Sequence, residues 1–305
     1  ILAQATLIHW GLRLLSSAVG FGAMKHCKEW AVKSDPASDS FLTLFLVVLT
    51  LTALTLAAAI KAIRTNHLHT LLKNAGVAGH KVAKTAWEID RKRFKLTGLG
   101  IPMVHQTLRF AGFSNNVCIG LCWAFAISWT LCDLMRIHVP PFRRILDWVF
   151  KEILRKDEQY QLSGASWFLL GCALTIHLFS PVIATASIVF LVMGVLCSAL
   201  ITRSFGNSLV TVGAGAEGHK SIEGCATMFV VCFLLGCGIF HQSYLREYPV
   251  FIAALVATLA EYYEPLGISY NVSIPVLTAV ALTLGFERTI SCGAAVVVEG
   301  AARAG

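Results

Sequence analysis

The sequence predicts an all-α, polytopic integral membrane protein, a helical bundle of roughly seven to nine transmembrane segments. Of its 305 residues, 56% are apolar and only 14% are charged, and the mean hydropathy is +0.69. A soluble globular protein carries about 25% charged residues. Nearly uncharged apolar blocks alternate with short basic loops, as expected for a chain whose solvent is lipid. The same composition excludes a disordered chain, a collagen-like repeat and a secreted disulfide scaffold.

The N-terminal part, residues 1–87, is predicted to be an extension with one or two membrane helices. Residues 1–24 are apolar but contain a histidine and an arginine, which suits an interfacial or packed helix at least as well as a span. Residues 41–60 carry no charge over a length that crosses about 30 Å of hydrocarbon. The segment 61–95 carries nine Lys or Arg, and the positive-inside rule therefore assigns it to the cytoplasm or an organelle matrix.

The rest of the chain predicts a membrane domain over residues 88–290 and a C-terminal tail over 291–305. The apolar segments of this domain predict spans at about 99–110, 114–134, 165–180, 182–201, 225–240, 249–262 and 274–285. Several are shorter than the roughly 20 residues that a simple span needs. Broken helices occur in membranes where protein or water satisfies the freed backbone groups, so these segments could also line a polar cavity.

The excess of basic over acidic residues indicates either binding to lipid headgroups or a signal that sets the membrane topology. The net charge of +8 comes from 25 Lys and Arg against 17 Asp and Glu, and the excess lies in loops and not along one helical face. We therefore expect anionic phospholipids and not nucleic acid as partners. The candidate headgroup-binding residues are Arg91, Lys92, Arg93, Arg155 and Lys156.

Metal and redox chemistry have little support in the sequence. The ten cysteines include no CxxC pair, and most of them lie in or beside apolar spans, where they serve as small packing residues. The histidines show no HxxxH or HExxH spacing. The sequence therefore predicts no metal site built from these residue types.

Two hydrophilic stretches, 136–164 and 203–224, separate the apolar segments. The second contains Gly213-x-Gly215-x-x-Gly218 followed by His219-Lys220-Ser221. A dinucleotide fingerprint needs a strand before the glycines and a helix after them, within a βαβ unit that this chain lacks. Glycines nevertheless expose backbone N–H groups, and a lysine beside them can hold phosphate oxygens. A flexible loop without a ligand is the alternative.

Several short motifs occur along the chain in a set order. They are, from the N-terminus, Arg91-Lys92-x-Phe94-x-x-x-Gly98, Asp133-Leu134-x-Arg136, Leu154-Arg155-Lys156-x-Glu158, Gly164-x-x-Trp167-x-x-x-Gly171, Arg203-Ser204-Phe205-Gly206, Lys220-Ser221-x-x-Gly224, and Glu261 followed by Asn271-x-x-Ile274-Pro275. In this order and spacing they resemble the CTP-dependent lipid kinases, the membrane family of diacylglycerol, dolichol and phytol kinases. The fungal-type diacylglycerol kinases are the most similar branch. The resemblance covers about residues 88–287.

The resemblance implies a nucleotide site in the second half of the chain. Its nucleotide-binding residues would be Arg203, Gly206, Lys220, Ser221, Gly224, Glu261 and Asn271. The resemblance also leads one to expect three carboxylates that are missing, because their positions hold Val195, Ser269 and Tyr270. Phosphoryl transfer from a nucleotide needs Mg²⁺, which prefers hard oxygen ligands such as carboxylates. We therefore expect no catalytic residue, no metal and no cofactor, and a nucleotide site that is vestigial.

The resulting hypothesis is a non-catalytic pseudoenzyme. It would be a structural or lipid-binding subunit of a larger membrane complex, for instance a respiratory-chain assembly, with other membrane protein subunits as partners. The mitochondrial inner membrane is favoured over the endoplasmic reticulum. For Asp133 a structural pair with Arg136 is expected, since i,i+3 spacing puts both on one helix face.

Two alternatives stay open. The first is an active CTP-dependent kinase of diacylglycerol or a polyprenol, with CTP and Mg²⁺ as cofactors and with Glu261 or Glu264 rebuilding the metal site. The second is a small-molecule transporter that uses the broken spans.

Overall fold

The computed structural model describes residues 36–62, 70, 72–74, 76–77, 79, 93–139, 161–205, 209–210, 220–241, 243, 246–263 and 268–304. Within them the chain forms helices α1 (Pro36–Ala62), α2 (Gly100–Phe110), α3 (Asn115–His138), α4 (Gly164–Leu178), α5 (Pro181–Val189), α6 (Val195–Phe205), α7 (Ile222–Ile239), α8 (Glu247–Tyr263) and α9 (Tyr270–Ala304). A 3₁₀ helix, Arg93–Leu99, precedes α2, and a π-helical segment, Phe190–Gly194, joins α5 to α6. Two short strands, β1 (Leu209–Val210) and β2 (Lys220–Ser221), pair in antiparallel register.

The prediction of an all-α membrane bundle is confirmed. Each apolar segment predicted from residue 41 onward forms a helix, whereas the predicted interfacial helix at 1–24 lies outside the described residues. Among the described residues, four helical stretches are long and apolar enough to cross a membrane: Asn115–His138, Pro181–Phe205, Ile222–Ile239 and Tyr270–Thr289. The number of crossings, seven to nine, stays a prediction.

The continuous helix α5–π–α6 lies at the centre of the bundle and α3 at its edge. In the most apolar window of Pro181–Phe205, 78% of the residues are buried, against 17% in Asn115–His138. Helix α5 is buried over its whole circumference, since every residue from 183 to 189 is buried, which is typical of a helix that is surrounded by others. Helices α4, α7, α8 and α9 enclose this centre, so side chains of α6 can meet those of α7 and α8.

The last helix extends beyond its predicted span. We expected the span at 274–285, since Glu287 and Arg288 follow it, but α9 begins at Tyr270 and continues past both charged residues. Charged side chains limit the apolar run without interrupting the backbone hydrogen bonds that define a helix. The start at Tyr270 matters for the site, because two of the three positions without an acid lie at this helix N-terminus.

Candidate functional site

Ser221 caps the N-terminus of α7 at the point where β2 ends. Its Oγ accepts a hydrogen bond from the Gly224 N–H at 3.0 Å and donates to Thr202 Oγ1 on α6 at 3.1 Å. Serine is among the preferred N-cap residues, because its oxygen satisfies an N–H that has no partner inside the helix. The cap therefore also ties the start of α7 to α6.

Gly224 allows α6 and α7 to approach closely. A Cβ on Gly224 would lie 3.0 Å from the Ser198 carbonyl oxygen and 3.2 Å from Ser198 Oγ, and it would clash with Thr202 Oγ1. The glycine thus serves the contact between two helices. Membrane helices use small residues in this way to bring their backbones together.

Lys220 binds the C-terminal end of α8. Its ammonium donates hydrogen bonds to the carbonyl oxygens of Glu261 and Tyr262. A helix C-terminus carries unpaired carbonyl groups and a partial negative charge, and a lysine satisfies both. The pairing of β2 with β1, Val210 opposite Lys220, positions the backbone from which this side chain extends.

The carboxylate of Glu261 is buried and bonded to α6. Ser198 Oγ donates to it, at 3.1 Å from Oε1 and 3.2 Å from Oε2. The five residues Ser198, Thr202, Lys220, Ser221 and Glu261 therefore form one polar group between α6, α7 and α8, which we call the Lys220–Glu261 cluster. A buried acid in a membrane bundle points to a functional site unless its bonds explain it.

Val195 lies beside this cluster. It begins α6 directly after the π-helical segment and is buried, one helical turn before Ser198. Helical residues three apart share a face, so an acid at position 195 would lie on the same face as Ser198. π-Helical insertions are frequent at functional sites.

The resemblance assigns Asn271 to the nucleotide site, but in the structure the Asn271 side chain forms a hydrogen bond with α4. Its Nδ2 donates to the Gly164 carbonyl at 3.2 Å, and a Cβ on Gly171 would lie 2.5 Å from the Asn271 carbonyl oxygen. Ser269 and Tyr270 form the N-terminus of α9, where Ser269 Oγ accepts from the Asn271 N–H at 3.4 Å. These residues start α9 and pack it on α4.

The structure describes only some of the remaining residues that the sequence predicted for the site. Arg203 lies in the last turn of α6 and is partly buried, and Arg93 opens the 3₁₀ helix, although its side chain is outside the described set. The candidates outside the described residues are Arg91, Lys92, Arg155, Lys156, Gly206, the glycines at 213–218 and Glu264.

The expected pair of Asp133 with Arg136 is confirmed and belongs to a larger network. Arg136 Nε donates to Asp133 Oδ1 at 2.8 Å. Asp133 Oδ2 accepts from the Ser163 N–H at 2.6 Å and from Ser166 Oγ at 2.7 Å, while Arg136 also donates to the Gln161 carbonyl at 3.0 Å. The end of α3 is thereby bonded to the N-terminus of α4.

The described residues do not fit a magnesium site of several carboxylates. No three His, Cys, Asp or Glu side chains in this part of the chain form a group that could hold a metal ion. Mg²⁺ needs near-octahedral oxygen coordination, and valine at 195 adds no ligand to the carboxylate of Glu261.

Sequence reasoning missed Ser198 and Thr202. A single serine or threonine in an apolar helix is common, because its hydroxyl can bond within the helix. One signal was available, since Ser198 follows Val195 by one turn and Thr202 follows Ser198 by another. These three positions define the face of α6 that meets α7 and α8.

The fold and the Lys220–Glu261 cluster define a helical membrane protein with a buried polar site between α6, α7 and α8. Comparisons with known proteins show what this chain is similar to. No family model matches the chain, and no solved structure matches it. Uncharacterized protein RP860 of Rickettsia prowazekii is 28% identical over 205 residues, which are 65% of this chain and 94% of that protein.

One relative has a stated activity, namely CTP-dependent diacylglycerol kinase 1 of Eremothecium gossypii. It is 24% identical over 218 residues, which are 64% of this chain and 66% of the kinase. The chain therefore has distant similarity to a CTP-dependent diacylglycerol kinase, in agreement with the resemblance of the motifs.

Proposed function

We propose that this chain is a non-catalytic, lipid-kinase-like membrane protein that acts as a structural or lipid-binding subunit of a larger membrane complex. The observation that carries the proposal is Val195, buried at the start of α6 where the resemblance implies an acid. Together with Ser269 and Tyr270 at the start of α9, it stands in place of three carboxylates that the resemblance implies. Phosphoryl transfer works by positioning and by metal electrostatics, and both need such ligands.

The bonds of Lys220 and Glu261 support a structural use. Lys220 donates to main-chain carbonyls of α8, and Glu261 accepts from Ser198 on α6. Such contacts hold helices together without a metal or a nucleotide. They explain how these side chains persist in a protein without catalysis.

The proposed location is an organellar membrane, with the mitochondrial inner membrane ahead of the endoplasmic reticulum. It rests on the basic segment 61–95 and on the basic loops of the membrane domain. The proposed partners are anionic phospholipids and other membrane protein subunits, for instance of the respiratory chain.

The first test is nucleotide binding. The purified full chain in lipid nanodiscs with Mg²⁺ should show no saturable CTP binding at micromolar concentrations, because no group of acids among the described residues could share the charge of the triphosphate through a metal. Calorimetric titration with CTP measures this directly, and the Eremothecium kinase under identical conditions serves as the positive control. Micromolar, Mg²⁺-dependent binding that is lost in Lys220→Met would contradict this expectation and favour the active-kinase alternative.

The second test concerns the basic residues before α2. If Arg91, Lys92 and Arg93 hold anionic headgroups, reversing all three to glutamate should release most of the anionic phospholipid that co-purifies. Juxtamembrane basic residues contribute about 1 kcal/mol each near an anionic surface, so three reversals have a measurable effect. Mass spectrometry of the extracted lipid quantifies it, with Lys→Arg at position 92 as the charge-preserving control. Unchanged lipid retention would leave these residues a purely topological role.

A further inference from the structure

Arg109 is the only Asp, Glu, Lys or Arg between Lys95 and Asp133. It lies in the last turn of α2 and is partly buried. A charged side chain within an apolar membrane segment is costly, and it is retained where a function or a partner of opposite charge needs it. Helices α2 and α3 contain no acid before Asp133, so a negative charge for Arg109 has to come from outside this stretch.

The end of α2 is capped by its own backbone. Gly112 adopts a φ of 90°, and the N–H groups of Gly112 and Phe113 donate to the carbonyl oxygens of Arg109 and Leu108 at 3.0 and 3.1 Å. This is the Schellman arrangement, which satisfies carbonyl groups at a helix C-terminus. The guanidinium of Arg109 is therefore not needed as a cap for these two carbonyls.

Helix α3 begins directly after this turn and has no side-chain cap at its N-terminus. Ser114 occupies the N-cap position, but its hydroxyl makes no capping hydrogen bond. The first N–H groups of a helix have no partner inside it, and together they carry a partial positive charge. Such a terminus favours an anion, and the first turn of α3 contains no acidic residue that could serve as one.

His105 provides a second, independent observation at this N-terminus. It is 2% exposed, and its side chain is hydrogen-bonded to that of Asn115, the first residue of α3. Its Nε2 nevertheless has no partner among the described residues. An imidazole nitrogen that carries the proton is a hydrogen-bond donor, and burying it without an acceptor costs free energy. An acceptor bound at the start of α3 would remove this cost.

The charge of Arg109 acts at the same place. Arg109 is close enough to influence both His105 and Cys118 electrostatically, and Cys118 lies in the first turn of α3. A guanidinium donates two parallel hydrogen bonds to a phosphate, which makes arginine well suited to this group. The guanidinium, the imidazole and the uncapped N–H groups therefore all favour a negative charge at the turn between α2 and α3.

We infer that this turn binds the phosphate group of an anionic phospholipid. Arg109, His105 and the N-terminal N–H groups of α3 would hold the phosphate, and we call them the turn site. Phe110 and Phe113 lie on either side of the turn and are 63% and 52% exposed. Exposed aromatic side chains at the end of a membrane helix are typical of the lipid interface, so a lipid phosphate fits this site better than a soluble anion does.

The turn site is distinct from the headgroup residues proposed above. Arg91, Lys92 and Arg93 precede α2, whereas Arg109 lies at its end. The turn site also lies at the opposite end of α3 from Arg136. The inference rests on the lipid-binding part of the proposed function and gives that role a location and a headgroup chemistry.

The experiment uses the full chain in phosphatidylcholine nanodiscs that contain phosphatidylglycerol with a photoactivatable headgroup. Labelling mapped by mass spectrometry should reach residues 105–116 and saturate. Unlabelled phosphatidylglycerol should compete, and inorganic phosphate should not. Arg109→Gln should weaken this labelling about tenfold, because it removes charge-assisted hydrogen bonds to the phosphate. Arg109→Lys keeps the charge and should retain most of the labelling. Arg288→Gln removes the same charge from an exposed position on α9 and should leave labelling unchanged.

Thermal unfolding separates a binding defect from misfolding. Added phosphatidylglycerol should raise the Tm of the native chain and of Arg288→Gln, and it should raise that of Arg109→Gln much less. Labelling that does not saturate, equal competition by inorganic phosphate, or an equal loss in Arg288→Gln would each overturn the inference.

Failure of the inference and failure of the proposed function give different results. If reversal of residues 91–93 releases lipid but residues 105–116 are never labelled, the inference is overturned and the proposed function stands. If CTP binds with Mg²⁺, the proposed function is contradicted, while saturable labelling of residues 105–116 still supports the inference.

Discussion

Replacing Arg136 by methionine should lower the free energy of unfolding by about 3–5 kcal/mol, since removal of one partner leaves a buried charge uncompensated. Arg136 is 1% exposed, and its guanidinium bonds to both Asp133 and the Gln161 carbonyl. The Asp133 carboxylate would stay buried with only the Ser163 and Ser166 donors. For a chain of this length, a Tm lower by roughly 10 °C is expected in detergent.

Two variants make this result specific. The double variant Asp133→Asn, Arg136→Met removes both charges and keeps an acceptor for Ser163 and Ser166, so it should regain more than half of the loss. Arg288→Met changes an exposed arginine of α9 and should shift stability by less than about 1 kcal/mol. Equal destabilisation by the single and the double variant would show that the ion pair is not the source of the effect.

If the proposed function is right, deleting the gene should deplete the membrane complex of which the chain is proposed to be a subunit, and it should leave cellular phosphatidate and polyprenyl phosphate unchanged. A structural subunit acts through helix packing, which needs no metal. Loss of the subunit therefore removes a contact surface of the complex and does not remove a reaction. Native electrophoresis of solubilised membranes measures the complex, and lipid mass spectrometry measures the phosphorylated products.

A matched pair of variants in the deletion strain separates structure from catalysis. Glu261→Gln keeps an oxygen that accepts from Ser198 and removes the charge that a metal would need, so it should restore the complex fully. Gly224→Val should fail to restore it, because a side chain there collides with Ser198 and Thr202 and separates α7 from α6. A fall in phosphatidate on deletion, with failure of Glu261→Gln to restore it, would favour the active kinase.

The positions of the helices could be predicted because apolar run length is a local property. Residues 41–60, 114–134 and 182–201 are nearly free of charge, and each forms a helix whose bounds differ from the prediction by a few residues. The extent of α9 could not be read in the same way. Hydropathy ends near Glu287, but a helix continues as long as its backbone hydrogen bonds do.

The candidate site was predictable in part. The resemblance of the motifs grouped Lys220, Ser221, Gly224 and Glu261, and the structure brings their elements together. The motifs did not indicate that Lys220 bonds to main-chain carbonyls of α8, nor that Ser198 is the donor to Glu261. The partner of a side chain depends on which helix faces lie opposite one another, and the motif spacing does not contain that information.

By itself the sequence determined the solvent of this protein, its helical class, the Asp133–Arg136 pair and the absence of acids at positions 195, 269 and 270. These follow from the identity of each residue and from spacings within a single helix turn. Only the tertiary structure decided that Ser163 and Ser166 complete the Asp133 network from 30 and 33 residues away, and that α2 buries His105 and Gln106. The reason is physical: a hydropathy pattern shows how strongly a helix prefers lipid, but the partners of its polar atoms depend on the rotation and packing of several helices at once.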